Sequence, residues 1–475
     1  MPIRSVTSRF PKAALAALIL QAAAPSPLAQ AQTTTPPEQL QLSLPKARAM
    51  AIEAVRQGEP RLALGLARGL QQAAPRDPML HFIEAAALEQ INQPDLGRQA
   101  AARAYRFSKN PADKFRSSQY AAKLSFAADS PTLAQIWLRR SANHAPDAKA
   151  EEQIARDYRV LRQKNPFAFR FRSSITPSSN VNGGTDAALE LIDGVPTGGV
   201  FSPRAQALSG VQATLDFAAT YRLAGSKTRA TTLGGRLYSQ SVSLSSSARA
   251  NAPGTKGEEF NTVYGEVSLR HSFAVGPAEK RGSAYGDVAL GSAYFGGSKN
   301  YDLVRATGSR SWRLGSGTVF EVNASAEDRF DSRYLVNDAR VYGVGASVSR
   351  PLANGDQVNL AVSLRDTRAK HGNGNFQSAT LRAYYGIGKA LGPTRWSLGL
   401  TYGIADYESY QVGLFRVPGG REDASVYGDI NVSFNNVGYA GFVPTLRLRA
   451  GQKSSNVNRF DTSEVSLSLG FESKF

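Results

Sequence analysis

From Pro166 onward, apolar residues recur at every second position, and this period constrains the fold more than any other feature of the chain. In the stretch FAFRFRSSI, Phe167, Phe169 and Phe171 alternate with Arg170 and Arg172. Val211, Leu215, Phe217 and Tyr221 share one face of the next such stretch, with Gln212, Thr214, Asp216, Thr220 and Arg222 on the other. The pattern returns in VNLAVSL, in RWSLGLTYGI and in FVPTLRLRA, where Leu446 and Leu448 oppose Arg447 and Arg449. It is still present in VSLSLGFESKF, where Val465, Leu467, Leu469 and Phe471 alternate with Ser466, Ser468, Gly470 and Glu472. Period 2 is the mark of a strand with one apolar and one polar face.

Turn-forming stretches such as AGSKT, GGSKN, LGSGT, ANGD and LGPT divide this region. The predicted strands number fourteen and start near 166, 209, 229, 259, 283, 299, 318, 339, 357, 377, 395, 424, 441 and 461. Longer polar connections are predicted at 177–208, 247–258, 331–338 and 409–423. A soluble sandwich would have shorter strands and a second sheet against its apolar face. Here the alternation is long and the polar face carries many arginines. The aromatics Tyr221, Tyr301, Trp312, Tyr334, Tyr385, Trp396, Tyr407 and Tyr439 fall near strand ends, as an interfacial girdle would. The expectation is a 14-stranded antiparallel transmembrane β-barrel over 166–475, closed so that no edge faces lipid. Phe475 would then be the assembly signal that a terminal Phe provides in many such barrels.

Mean hydropathy is −0.30, and the one apolar run near membrane length lies at the N-terminus. Arg4, Arg9 and Lys12 precede AALAALILQAAA, and Ala29-Gln30-Ala31 offers a small-x-small cleavage site. Residues 1–31 read as a secretory signal peptide and 32–39 as a flexible lead-in. The location expected is the outer membrane of a Gram-negative bacterium. The chain has 0 cysteines and 4 histidines, and these are far apart, so no disulfide, metal site or cofactor is expected. The net charge of +18 is mostly arginine spread along strands, which reads as a basic surface and lumen rather than a nucleic-acid patch.

Residues 40–165 are rich in good helix formers. Units end at Pro75, Pro111 and Pro146, spaced 36 and 35 residues apart (111 − 75, 146 − 111). Each unit shows two helices, broken at Gly58, at Pro94-Asp95 and at Pro131. Ala63, Ala67, Ala100 and Ala104 provide the small side chains that close crossings need, and 150–165 caps the array. This period resembles tetratricopeptide repeats. Such a stack presents a concave face to a partner, although a helical plug or spacer would give the same pattern.

In joint order, signal peptide, tetratricopeptide-like domain and 14-stranded barrel resemble the surface lipoprotein assembly modulators, also called modifiers. The local likeness lies in SSNVNGG, with Ser179, Asn180 and Asn182, and in GGREDASVYG, with Arg421 and Asp423. It continues in the last segment, with Ser455, Asn456 and Phe475. The resemblance implies a protein that delivers surface lipoproteins or secreted proteins across the outer membrane, with the helical domain in the periplasm. It implies as partners the client, outer-membrane lipids, the barrel-assembly machinery and a periplasmic chaperone, and no nucleic acid or enzymatic activity. The alternatives are a polysaccharide-export porin with a periplasmic repeat domain, or a general diffusion porin.

By alternation, Arg170, Arg172, Arg222, Arg270, Arg382, Arg395, Arg447 and Arg449 face the lumen, since an outward Arg at the midplane would cost roughly 2–4 kcal/mol. They read either as a structural lattice with Asp216, Glu266, Asp287 and Asp429, or as a surface that guides a client. The lumen carboxylates suggest no hydrolytic site. GIGKA at 386–390 is a fragment of a phosphate-loop pattern, expected inside a strand with glycines that relieve lumen crowding.

Overall fold

The structure is a computed structural model that describes residues 43–434, 437 and 442–473. The expected signal peptide, the lead-in, Tyr439 and Phe475 lie outside these residues. Helices α1 (Leu44–Arg56), α2 (Pro60–Ala73), α3 (Pro78–Gln90), α4 (Pro94–Phe107), α5 (Pro111–Ala127) and α6 (Pro131–Ala142) form three hairpins, and α7 (Ala148–Lys164) follows. All of α1–α6 carry proline in the first turn, where its missing N–H leaves no bond unmade. Within each hairpin the turn residue two positions before that proline is left-handed: Gly58 (φ 76), Asn92 (φ 57) and Asp129 (φ 53). Gly, Asn and Asp are the residues that visit this region most readily. The repeat is therefore punctuated by G-E-P, N-Q-P and D-S-P. Pro75 and Pro146 lie between hairpins, but Pro111 opens α5 instead of ending a unit. Its fixed φ suits the first helical position, and the Asn110 side chain caps the helix by accepting from Ala112 N.

Ala63, Ala67, Ala100 and Ala104 are fully buried, where α2 and α4 pack against their neighbours. Glu84 of α3 is buried with them. Its carboxylate accepts from Gln71 at 3.0 Å and Arg103 at 3.1 Å, with Arg68 at 3.4 Å and His81 at 3.7 Å. Burial alone would raise its pKa. The polar contacts with His81, Gln71 and Arg103 outweigh burial and bring it down to about 2. Because the folded value lies below the unfolded one, Glu84 stabilises the helices fully above pH 4.5 and progressively less as pH falls towards 2. Acid titration followed by far-ultraviolet circular dichroism is expected to show Glu84→Gln flattening the loss of helix between about pH 4.5 and 2. An unchanged acid transition would contradict that role.

The barrel strands are β1 (Phe167–Ser178), β2 (Gly210–Gly225), β3 (Arg229–Leu244), β4 (Thr262–Val275), β5 (Gly282–Phe295), β6 (Ser298–Arg313) and β7 (Val319–Phe330). They continue as β8 (Ala339–Pro351), β9 (Gln357–Ala369), β10 (Phe376–Gly386), β11 (Thr394–Tyr407), β12 (Arg421–Phe434), β13 (Phe442–Ser455) and β14 (Thr462–Ser473). Each pairs antiparallel with the next, and β1 closes the ring on β14. Every strand starts within three residues of its predicted position. Links 226–228, 276–281, 314–318, 352–356 and 387–393 are short and share one end of the barrel with the helices. The other end carries 179–209, 245–261, 331–338 and 408–420. It also has one tight turn, Gly296-Gly297, where φ of 58° and 79° favours glycine.

The outer face is apolar: Leu290, Ile175 and Leu400 are 60%, 59% and 54% exposed. A closed ring with such a face has no unpaired edge and fits hydrocarbon, so the barrel is a transmembrane one. Among the described residues no helix is long and apolar enough to cross a membrane.

The expected girdle holds only in part. By strand parity Tyr221, Trp312, Tyr385 and Trp396 point outward near the helical end. Tyr334 sits in the 331–338 connection. Tyr301 and Tyr407 face the lumen instead, where their rings lie under Arg329 (4.5 Å) and Arg421 (4.0 Å). A register irregularity at Ala293/Tyr294 precedes Tyr301 and obscures its face in the sequence.

Candidate functional site

The register places all eight candidate arginines on the lumen face. Arg170 lies opposite Ala218, Arg172 opposite Asp216, Arg222 opposite Thr232, and Arg270 opposite Asp287. Arg382 lies opposite Thr401, Arg395 opposite Ser433, Arg447 opposite Asn431 and Ser468, and Arg449 opposite Asp429. Their partners divide the lumen into two walls. Along β2–β7 most charges are matched, Arg222 at the helical end excepted. Arg236 forks onto Asp216 at 2.9 and 3.2 Å. Arg270 bonds Asp287 at 3.2 Å. Arg305 reaches Glu266 at 2.5 Å and Glu327 at 3.4 Å, and Arg329 holds Glu327 at 2.6 Å.

Along β1 and β10–β14, apart from the Arg421–Asp423 pair at the far end of β12, they are not. Arg447 and Arg449 share Asp429, at 2.5 and 3.6 Å. Arg170, Arg172, Arg382 and Arg395 have no carboxylate within 4.0 Å among the described residues. The lattice expected from alternation thus forms with a different cast. Asp216 and Glu266 are taken by Arg236 and Arg305 rather than by the candidate arginines, because Arg236 reaches diagonally from the adjacent strand and Arg305 reaches over β5. Arg236, Arg305 and Arg329 are not among the candidates, although Arg236 sits in plain alternation with Leu233 and Leu237.

A cavity of about 820 Å³ opens inside the barrel, bounded by Arg172, Arg395, Arg447, Asp216, Tyr238 and Tyr384 among others. GIGKA does not lie inside a strand. Gly386 ends β10 and Gly388 sits in the following turn, where its N–H donates to Asp356 at 2.8 Å. A Cβ on Gly388 would collide with the Gly355 carbonyl, so this glycine serves a backbone approach at the barrel rim.

The resemblance positions converge at the end opposite the helices. Asn180 binds both N and O of Gly184. Asn182 donates to the carbonyls of Arg204 and Gln206 and accepts from Leu208 N. Ser179 accepts from Val465 N, across the closing seam. Asn456 joins Glu422 N, Gly420 O and Asp193, and Ser455 accepts from Val457 N. Arg421 forks onto Asp423 at 2.9 and 2.6 Å. Its guanidinium is also enclosed by the rings of Tyr407, Tyr410 and Phe460. Tyr410, Val412, Val417 and Val457 form a small core beside it, with Ile192 packed on. These residues knit 179–209, 408–420 and 456–461 into a cap.

The other end is joined to the helices. Buried Arg139 of α6 donates to Tyr158 of α7 and, at 2.8 Å, to Ser473 of β14. It also lies over Phe169 of β1 (5.9 Å) and Phe442 of β13 (5.3 Å). One side chain therefore touches both sides of the seam where the ring closes. Arg222 adds a bond to the Lys164 carbonyl at 3.0 Å. Among the described residues no group of three or more His, Asp and Glu side chains is placed to hold a metal.

No protein-family model matches the chain, and no curated protein matches it. Solved structures similar to the barrel include OccAB3 of Acinetobacter baumannii, at 10% identity and a TM-score of 0.33, covering 64% of this chain and 98% of that one. CdiB of Acinetobacter baumannii is 9% identical with a TM-score of 0.34, covering 64% and 60%. The type III secretion translocator chaperone SycD of Yersinia enterocolitica is 14% identical with a TM-score of 0.24, covering 26% of this chain and 88% of that one. At these values the likenesses carry no functional weight, and the fold stands on its own geometry.

Proposed function

We propose that the chain is an outer-membrane export factor that receives a client surface lipoprotein or secreted protein on its helical domain and passes it to the barrel. The observation that carries this reading is the Arg139 clasp, which ties the helices to the closing seam through Phe169, Phe442 and Ser473, on the outward side of the barrel end. A receptor domain held there delivers a segment to the lumen or to the bilayer edge, whereas a diffusion porin needs no such domain. The residues bind and orient, and no bond-making chemistry is assigned to them. In this reading the helices stand in the periplasm, where a chaperone can hand over the client and the barrel-assembly machinery inserts the strands.

A polysaccharide conduit would need open aromatic faces along the lumen. Tyr285, Tyr301, Tyr407 and Tyr427 each lie under an arginine, which leaves chiefly Tyr238, Tyr264 and Tyr384 for such a track.

Epitope tags test the orientation. A tag at Gly194, the tip of the Leu189–Ile192/Val195–Val200 hairpin, is expected to be labelled on intact cells. A tag before Leu44 is expected to be labelled only after the outer membrane is permeabilised. Labelling of the helical tag on intact cells would overturn the reading.

A further inference from the structure

We propose that the unmatched arginine wall of the lumen is a binding surface for the carboxylates of an acidic, extended polypeptide segment. The source of that segment rests on the export reading, but the binding of carboxylates does not.

The contrast between the two walls carries the inference. A purely structural lattice would pair its arginines with carboxylates, as Arg236, Arg270, Arg305 and Arg329 of β3–β7 do. Arg170, Arg172, Arg382 and Arg395 instead make no ion pair within 4.0 Å among the described residues, and Asp216, the carboxylate facing Arg172, is forked by Arg236. Glu472 is the one carboxylate that the cavity adds beside Asp216, and Asp216 is already held by Arg236. The guanidinium fork is built to take a carboxylate with two parallel bonds.

Spacing selects the form of the anion. Arg170 and Arg172 are two apart on β1, and Arg447 and Arg449 are two apart on β13. Side chains two apart on a strand stand about 6.6 Å from each other, the same repeat that an extended guest presents. A compact phosphate would want its donors gathered at one point, not laid out on β1, β10, β11 and β13. Around Arg172, Arg395 and Arg447 the cavity is lined by Ser433, Thr445, Ser468 and Asn431, which can bond a guest backbone without reading its sequence.

The test uses the purified full chain folded in detergent and a fluorescein-labelled peptide of alternating Glu and Ser. Anisotropy is expected to show binding that weakens with salt, while the matching Gln-Ser peptide does not bind. Replacing the four unmatched arginines together (R170Q, R172Q, R382Q, R395Q) is expected to weaken binding roughly tenfold or more. R159Q/R162Q on α7 is expected to change nothing. Heat-modifiable gel mobility reports whether each variant is folded. If the quadruple Gln variant does not fold, the four Arg→Lys replacements keep the charge and remove the fork, and binding is expected to weaken by less.

Unchanged affinity in a folded Gln or Lys variant would overturn the proposal. So would binding of tripolyphosphate without binding of the Glu-Ser peptide, which would assign the wall to a phosphate-bearing molecule. Loss of peptide binding in a chain that still supports client display would remove this inference alone. Retained binding in a chain that displays no client would remove the export reading alone.

Discussion

Replacing Arg421 by alanine is expected to open the cap while the ring of strands stays closed. Arg421 and Asp423 are 6% and 9% exposed, and the guanidinium is enclosed by Tyr407, Tyr410 and Phe460. Removing one member of a buried ion pair strands the other charge and costs about 3–5 kcal/mol. Lys453, 3.8 Å from Asp423, compensates only weakly. The cap depends on this pair because its own core is small, a few side chains around Val417 and Val457. The barrel does not, because its pairing runs strand to strand around the ring. Limited proteolysis of the folded, heat-modifiable barrel is the readout. Cleavage within 408–420 is expected to become fast in Arg421→Ala. Arg421→Lys, which keeps the charge and loses the fork, is expected to fall between it and the unaltered protein. Protease resistance equal to that of the unaltered protein would show that other contacts hold the cap.

The strands were legible in the sequence because two independent patterns agree. Period-2 alternation marks each strand, and Gly, Pro, Asn and Ser mark the links. The helical repeat was legible from its period, yet Pro111 was placed at the end of a unit because proline excludes helix interiors and opens helices equally well. What alternation cannot supply is the partner of a side chain. It placed Arg172 and Asp216 on one face, and they are direct neighbours across β1 and β2, but Arg236 takes the carboxylate from the next strand. Tyr301 and Tyr407 looked interfacial because they stand near strand ends, and they turned inward to cover arginines. The positions that carry the family resemblance were visible as short strings. Their structural work was not, because Asn182 and Asn456 act through backbone groups some 20 to 40 residues away in sequence that loop folding and strand pairing bring near.

Deleting 43–164 is expected to abolish client display while the barrel still assembles. The strands close on themselves and bury their hydrogen bonds without the helices, whose main ties to the ring are Arg139 and the Arg222–Lys164 bond. Arg139→Ala, which loosens the clasp but keeps the helical core, is expected to reduce display less than the deletion does. Protease shaving of intact cells, followed by mass spectrometry of the released peptides, measures the outcome whichever client the chain serves. Cells with the intact chain are compared with cells that carry the deletion. The expected result is that one or more lipoproteins or secreted proteins vanish from the surface and remain inside, while the heat-modifiable barrel stays abundant. An identical surface inventory in the two cell types, with the barrel equally abundant, would contradict export as the function of this protein.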